Sequence, residues 1–152
     1  MDVRRLSRVL AVAPQLSIYD VEEAARLGFR TLINNRPDGE EPTQPRAKEI
    51  EAAARAAGLR YHYLPVNGIN PREHDIHAFG TLLAEARDPV LAFCRSGGRS
   101  VVLWAMTRAG RDDTEQIIAV ARHAGFELNG LRILIDQHLH MHSGAPAWRT
   151  DA

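Results

Sequence analysis

Cysteine and lysine are nearly missing from this 152-residue chain. Cys94 is the sole thiol, and Lys48 is the sole lysine among nineteen basic residues. One cysteine excludes an intramolecular disulfide and points to a reducing compartment. Charge of either sign is not in excess: nineteen basic and nineteen acidic residues leave a formal net charge of zero. A broad electrostatic field for nucleic acid or an anionic membrane is therefore not expected. Long apolar runs are absent too, so no stretch has the length of a membrane span. The opening "MDVRRLSRVLAVAPQL" sets arginines before an apolar run, but that run stops at Pro14, too short for the core of a secretory leader. A soluble cytoplasmic protein is the expectation. Arginine can grip oxyanions with a forked contact, but a bias spread along the whole chain marks no site by itself.

Apolar residues make up 45% of the chain, enough for a real core at this length. No repeat or low-complexity tract interrupts it, and residues 1–152 read as a single domain. Short apolar runs alternate with helical patterns, the mark of an α/β layer fold. "SRVLAV" and "LSIY" read as strands, although Ser17 to Asp20 also has the form of a capping box leading into the helix "DVEEAARLG". "FRTLINN" predicts a strand, "QPRAKEIEAAARAAG" a helix, "RYHYLPV" a strand and "REHDIHAFGTLLAEAR" a helix. "DPVLAFC" predicts a strand that is apolar throughout, hence buried on both faces and central. Three helical stretches follow: "SVVLWAMTRAG" starting after Arg99, "DDTEQIIAVARHAG" capped at Asp112 or Asp113, and "NGLRILIDQHLHMH". They should cover one flank of the sheet.

The chemistry concentrates in "FCRSGGRS", residues 93–100. A strand delivers Cys94 and a helix begins a few residues later. Gly97 and Gly98 permit backbone turns in which the N–H groups of residues 95–99 point inward and form an anion nest. The helix start adds unpaired N–H groups and the positive end of its dipole. Such surroundings stabilise a thiolate, the nucleophilic form of cysteine. Arg99 is placed to hold an oxyanion bidentately. Ser100 is placed to hydrogen-bond the thiolate. Arg95 and Ser96 contribute backbone, with the Arg95 side chain at the mouth. A buried structural thiol is the common fate of a lone cysteine, yet two glycines and an arginine between a strand and a helix are hard to explain by packing.

The loop resembles those of the cysteine-based phosphatases, including the dual-specificity type, and also the shorter loop of rhodanese, a sulfurtransferase. With "APQLS", "TLINNRPDGEEP" and "YHYLPV", the chain resembles the phosphatase-like domain of the beta-lactamase-hydrolase-like protein family over roughly residues 8 to 140. That resemblance implies a three-layer phosphatase-like α/β fold with a mainly parallel central sheet flanked by helices.

Three departures from the phosphatase pattern bear on the reaction. Only four residues separate Cys94 from Arg99, one fewer than in those phosphatases, which narrows the bowl around a phosphoryl group. Phe93 stands where they have His. The loop after "RYHYLPV" is "NGINP", without the Asp that acts as their general acid, and neither Asn67 nor Asn70 can protonate a leaving alkoxide. Asp75 falls on the next helix. Sulfur transfer needs no such acid: a thiolate takes sulfane sulfur as a persulfide and a thiol acceptor removes it. The first expectation is a Cys94-dependent sulfurtransferase with a small sulfane-sulfur donor and a thiol acceptor. The alternative is a phosphatase acting on phosphate monoesters through a Cys94 phosphoenzyme, and the third reading is a non-catalytic anion-binding module. None of these requires a metal or organic cofactor, and no nucleic acid or membrane partner is expected.

Arg36 and Asp38 in "NNRPDGE" follow a strand and are candidates to flank the loop, since ligands of such sheets bind beyond the strands' carboxyl ends. Arg36 would bind an anionic substrate, and Asp38 would serve as a displaced acid or orient Arg99. Pro-Asp-Gly is equally a plain turn. His138, His140 and His142 cluster near the end, but no carboxylate or cysteine completes a metal site, and a solvated helix end is the expectation. Trp104 and Met106 read as core, and Trp148 as a possible anchor of the tail.

Overall fold

The computed structural model describes residues 1–142, with side chains through His138. A five-stranded sheet runs in the order β1-β2-β5-β3-β4. Its strands are β1 (Arg4–Arg5), β2 (Leu10–Ala13), β3 (Thr31–Asn34), β4 (Arg60–Tyr63) and β5 (Val90–Phe93). The short β1 lies antiparallel on β2, and every other pairing is parallel. Helices α1 (Ile18–Arg26), α2 (Ala47–Ala56), α3 (Glu73–Glu85), α4 (Gly98–Arg108), α5 (Thr114–His123) and α6 (Arg132–His142) complete the fold, with a short 3₁₀ turn at Asn129–Leu131.

The central place of β5 follows from its composition. Val90, Leu91, Ala92 and Phe93 are all buried, and the strand pairs on both sides. Alternate residues serve opposite faces, as the pleat requires. Ala11, Ala13, Leu32, Leu91 and Phe93 pack with Val21, Ala24, Ile50 and Ala54 of α1 and α2. Leu10, Val12, Ile33, Val90 and Ala92 pack with residues of α3, α4, α5 and α6, Trp104 and Met106 among them. The helices after residue 100 thus cover one flank, joined there by α3.

Register carries this order to the site. Ala13 and Asn34 both pair with Phe93, so β2, β5 and β3 end level with one another. The segments that leave these three ends begin at Pro14, Asn35 and Cys94, side by side at one edge of the sheet.

Two local expectations change. "LSIY" is not a strand: the Ser17 hydroxyl accepts from Asp20 N–H at 3.1 Å, and the Asp20 carboxylate accepts from Ser17 N–H at 2.8 Å. That reciprocal cap satisfies two helix-end donors and outweighs the strand-like side chains. Helix α4 begins at Gly98, so Arg99 lies within its first turn rather than before it. Its eleven residues include seven that are buried, which explains its weak amphipathic pattern. Trp148, together with the His140 and His142 side chains, lies outside what the structure describes.

Phe93 immediately precedes the loop and is fully buried. Phe93→Ala should lower unfolding free energy by roughly 3–5 kcal/mol, the usual range for such a truncation. Urea unfolding followed by far-UV circular dichroism measures this directly.

Candidate active site at the carboxyl edge of the sheet

Cys94 leaves β5 fully buried. Gly97 N–H donates to its Sγ at 3.1 Å. Gly97 holds φ = 95°, a left-handed conformation that side chains disfavour, and a Cβ there would lie 3.0 Å from the Phe126 ring. The glycine is therefore needed both for the turn and for the close approach of the helix α5 region. Gly98 N–H does not join the nest expected around the sulfur; it donates to Ser96 Oγ at 3.3 Å. The N-terminus of α4 then begins directly over the loop, bringing the positive end of an eleven-residue helix dipole.

Arg99 is held by a carboxylate that is not among the sequence candidates. Its Nη1 donates to Glu40 Oε2 at 2.8 Å and its Nη2 to Glu40 Oε1 at 2.8 Å. Nη1 also donates to the Val66 carbonyl at 2.9 Å. These bonds occupy the end of the guanidinium. They leave Nε–H and the second Nη2 hydrogen, which form the fork along its side. Glu40 raises the Arg99 pKa first, and Cys94 adds to that rise. The guanidinium thus sits between a fixed carboxylate and the thiol.

Arg36 supports this arrangement from beneath. It is 2% exposed, its Nε donates to Glu40 Oε1 at 2.9 Å and its Nη1 to Gln15 Oε1 at 3.1 Å. Its Nη2 makes no hydrogen bond and lies 3.7 Å from Glu41 Oε2. A guanidinium so enclosed is a brace for Glu40, not the exposed substrate ligand expected. Asp38 bonds to other partners. Its Oδ1 accepts from Ala47 N–H at 2.7 Å, capping α2, and its own N–H donates to the Tyr63 hydroxyl at 2.9 Å. Glu40 occupies the orienting role considered for Asp38. At the rim, Arg95 pairs with Glu41 at 2.7 Å.

Ser100 also departs from expectation. Its hydroxyl proton goes to Asn35 Oδ1 at 2.8 Å, so it is not offered to Cys94. Both groups are buried. Asn35 in turn donates from Nδ2 to Leu64 O at 3.0 Å and from its backbone N–H to Phe93 O at 2.8 Å. Asn34 Oδ1 accepts from Arg36 N–H at 2.9 Å. This polar knot ties α4 to the ends of β3 and β5 and to the chain leaving β4.

Above the loop opens a cleft of about 510 Å³ lined by Glu40, Gly68, Ile69, Arg95, Ser96, Gly98 and Arg99. Asn67 and Asn70 flank the Gly68–Ile69 wall and are exposed. Cys94, fully buried, is not among these lining residues. Asp75 is buried and accepts from Arg72 N–H at 3.1 Å, as a helix cap. His138 is nearly buried rather than solvated, with Nδ1 3.5 Å from Glu73 Oε2. Among the described residues no group of three or more His, Cys, Asp or Glu is arranged to hold a metal ion, and no helix is long and apolar enough to cross a membrane.

A cysteine at the end of a central parallel strand, a glycine turn and an arginine in the following helix define the phosphatase-like α/β class. More narrowly, the family "Beta-lactamase hydrolase-like protein, phosphatase-like domain" matches residues 2–111, and the chain belongs to that family. It is 38% identical over 130 residues to the Beta-lactamase hydrolase-like protein of Xylella fastidiosa strain Temecula1, covering 84% of this chain and 30% of that protein. The chain therefore spans less than a third of the length of that relative. A candidate phosphatase from Neisseria meningitidis Z2491 superposes with a TM-score of 0.84 at 37% identity, over 91% of this chain and 99% of that one. TpbA of P. aeruginosa, solved in complex with phosphotyrosine, shares the fold with a TM-score of 0.66 at 18% identity, over 95% of this chain and 91% of that one.

Glu40 yields a test of the ion-pair network. Its hydrogen bond to Arg99 is the main cause of a pKa lowered from 4.5 to about 2. A depressed carboxylate pKa contributes stability that is complete above the unfolded value and lost as pH falls through the folded one. Glu40→Gln should therefore flatten the fall in stability between about pH 4.5 and pH 2 that the parent shows. Chemical unfolding midpoints across that window give the comparison; parallel curves for the two proteins would refute the assignment.

Proposed function

We propose that this domain hydrolyses phosphate monoesters through a covalent Cys94 phosphoenzyme. The observation that carries this reading is Arg99 in the first turn of α4, its terminal nitrogens held by Glu40 while the guanidinium also meets the Cys94 thiol. Membership in a phosphatase-like family and the likeness to the Neisseria protein support it.

In this reading the Cys94 thiolate attacks phosphorus, an S–P bond forms and the ester P–O bond breaks. The charge spread over the phosphoryl oxygens is met by Arg99 and the helix start. Water then attacks the phosphocysteine, releasing inorganic phosphate and restoring the thiolate. Glu40 and Arg36 act by keeping Arg99 in place. Sulfur transfer, the first expectation from the sequence, finds no support among the relatives and becomes the second reading. Two observations favour keeping it: the four-residue spacing between Cys94 and Arg99, and an ionised Glu40 that has no proton to donate. There the thiolate would take the outer sulfur of thiosulfate, sulfite would leave, and a thiol would accept the sulfur.

Hydrolysis of 4-nitrophenyl phosphate decides between the readings. Turnover is expected in the parent and should fall to background in Cys94→Ser. Arg99→Lys should lower kcat by about 10²–10³, the effect of losing one preorganised oxyanion donor. No phosphate release, with thiosulfate instead leaving a persulfide on Cys94, would replace this proposal with the second reading.

A further inference from the structure

Resting on the phosphatase reading, we infer that Arg95 takes a second anionic group of the substrate, a carboxylate or a further phosphate, and that Glu41 releases it by moving onto Arg36. A row of charged side chains carries this. Arg99 holds Glu40, Glu40 holds Arg36, Arg36 faces Glu41, and Glu41 holds Arg95. The row starts and ends on the Cys94 loop. Its three guanidinium groups outnumber its two carboxylates, which leaves one positive charge uncompensated along it. Arg95 and Arg99 both border the cleft, so one ligand can meet both.

The two ends of the row differ. The Arg99 side chain is 13% exposed and is held by both oxygens of Glu40 and by the Val66 carbonyl. Arg95 pairs with Glu41 Oε1 at 2.7 Å, and its side chain is 67% exposed. An exposed pair of this kind contributes little to stability, so exchanging it for a ligand anion costs little. The Arg95 backbone is nonetheless fixed, because Gln15 N–H donates to its carbonyl at 3.1 Å. Only the side chain has to move. Glu41, once released, has a place to go. Arg36 Nη2 is buried without a hydrogen-bond partner, and Glu41 Oε2 stands 3.7 Å from it. Closing that gap to about 2.9 Å makes the bond that this buried donor lacks. Arg36 also holds Glu40, and Glu40 holds Arg99, so a ligand anion on Arg95 steadies the arginine at the other end of the loop.

The test is calorimetric titration of the full chain carrying Cys94→Ser, which binds without turnover. Two pairs of ligands of different length each differ by one carboxylate: 3-phosphoglycerate against glycerol 3-phosphate, and 6-phosphogluconate against sorbitol 6-phosphate. In at least one pair the carboxylate should tighten binding by about fivefold, the size of one exposed charge pair. Arg95→Gln should remove that advantage and leave the affinities for glycerol 3-phosphate and sorbitol 6-phosphate unchanged. Arg55→Gln, which removes the same charge from the last turn of α2, should leave the advantage intact. Glu41→Gln should enlarge it, because Arg95 then has no carboxylate to leave. Equal affinities within both pairs, an advantage that survives Arg95→Gln, or an equal loss in Arg55→Gln would overturn the inference and leave the phosphatase reading standing. An advantage that does not grow in Glu41→Gln would overturn the exchange onto Arg36. Failure of all four ligands to bind would overturn the phosphatase reading, and the inference with it.

Discussion

The pair formed by Glu40 and Arg99 is the constraint on which the rest of the site depends. Both carboxylate oxygens meet both terminal nitrogens at 2.8 Å, which fixes the plane of the guanidinium. Glu40 is itself held by a buried arginine, and that arginine by Gln15 on the segment leaving β2. Breaking one partner of a buried ion pair leaves the other charge uncompensated, which is far more harmful than losing a surface pair. Removing Glu40 would release Arg99 and leave buried Arg36 with only Gln15 and the more distant Glu41. Three parallel strands that end level make the network possible, because Gln15, Arg36 and the Cys94 loop emerge beside one another.

The backbone supports the same point from the other side. Asn35 and Ser100 are buried polar groups that satisfy each other and so bind the first turn of α4 to the end of β3. Gly97 lets the chain turn beneath that helix and brings its N–H to the sulfur. Position, not an unusual side chain, makes Cys94 different from an ordinary core thiol.

Much of this is legible in the amino-acid sequence alone. The continuous "VLAF" run announces a central strand, and the glycines between Cys94 and Arg99 announce a turn into a helix. The capping pattern at Ser17 is equally readable, though the following Ile and Tyr invite a strand. The partners within the site are harder to see. Glu40 and Glu41 follow a Pro-Asp-Gly turn, where exposed acids are ordinary, and only the fold brings them across to residues 95 and 99. Arg36 looks like a surface ligand because nothing local reveals that Gln15, twenty-one positions away, covers it. Ser100 sits one residue past Arg99, yet its proton is claimed by Asn35 from the end of another strand. The preference for sulfur over phosphate rests on loop length and a missing acid. Both features remain, but the fold, the family and the geometry of Arg99 give phosphate the stronger case.

Everything turns on whether the buried Cys94 reacts from the native state. Because it is the only cysteine, alkylation by iodoacetate can be followed by intact mass without ambiguity. The account predicts that native protein is alkylated at Cys94 and that inorganic phosphate slows the reaction by occupying the site against Arg99. A Cys94 that stays unmodified until denaturant is added, or that reacts at a rate indifferent to phosphate, would contradict it.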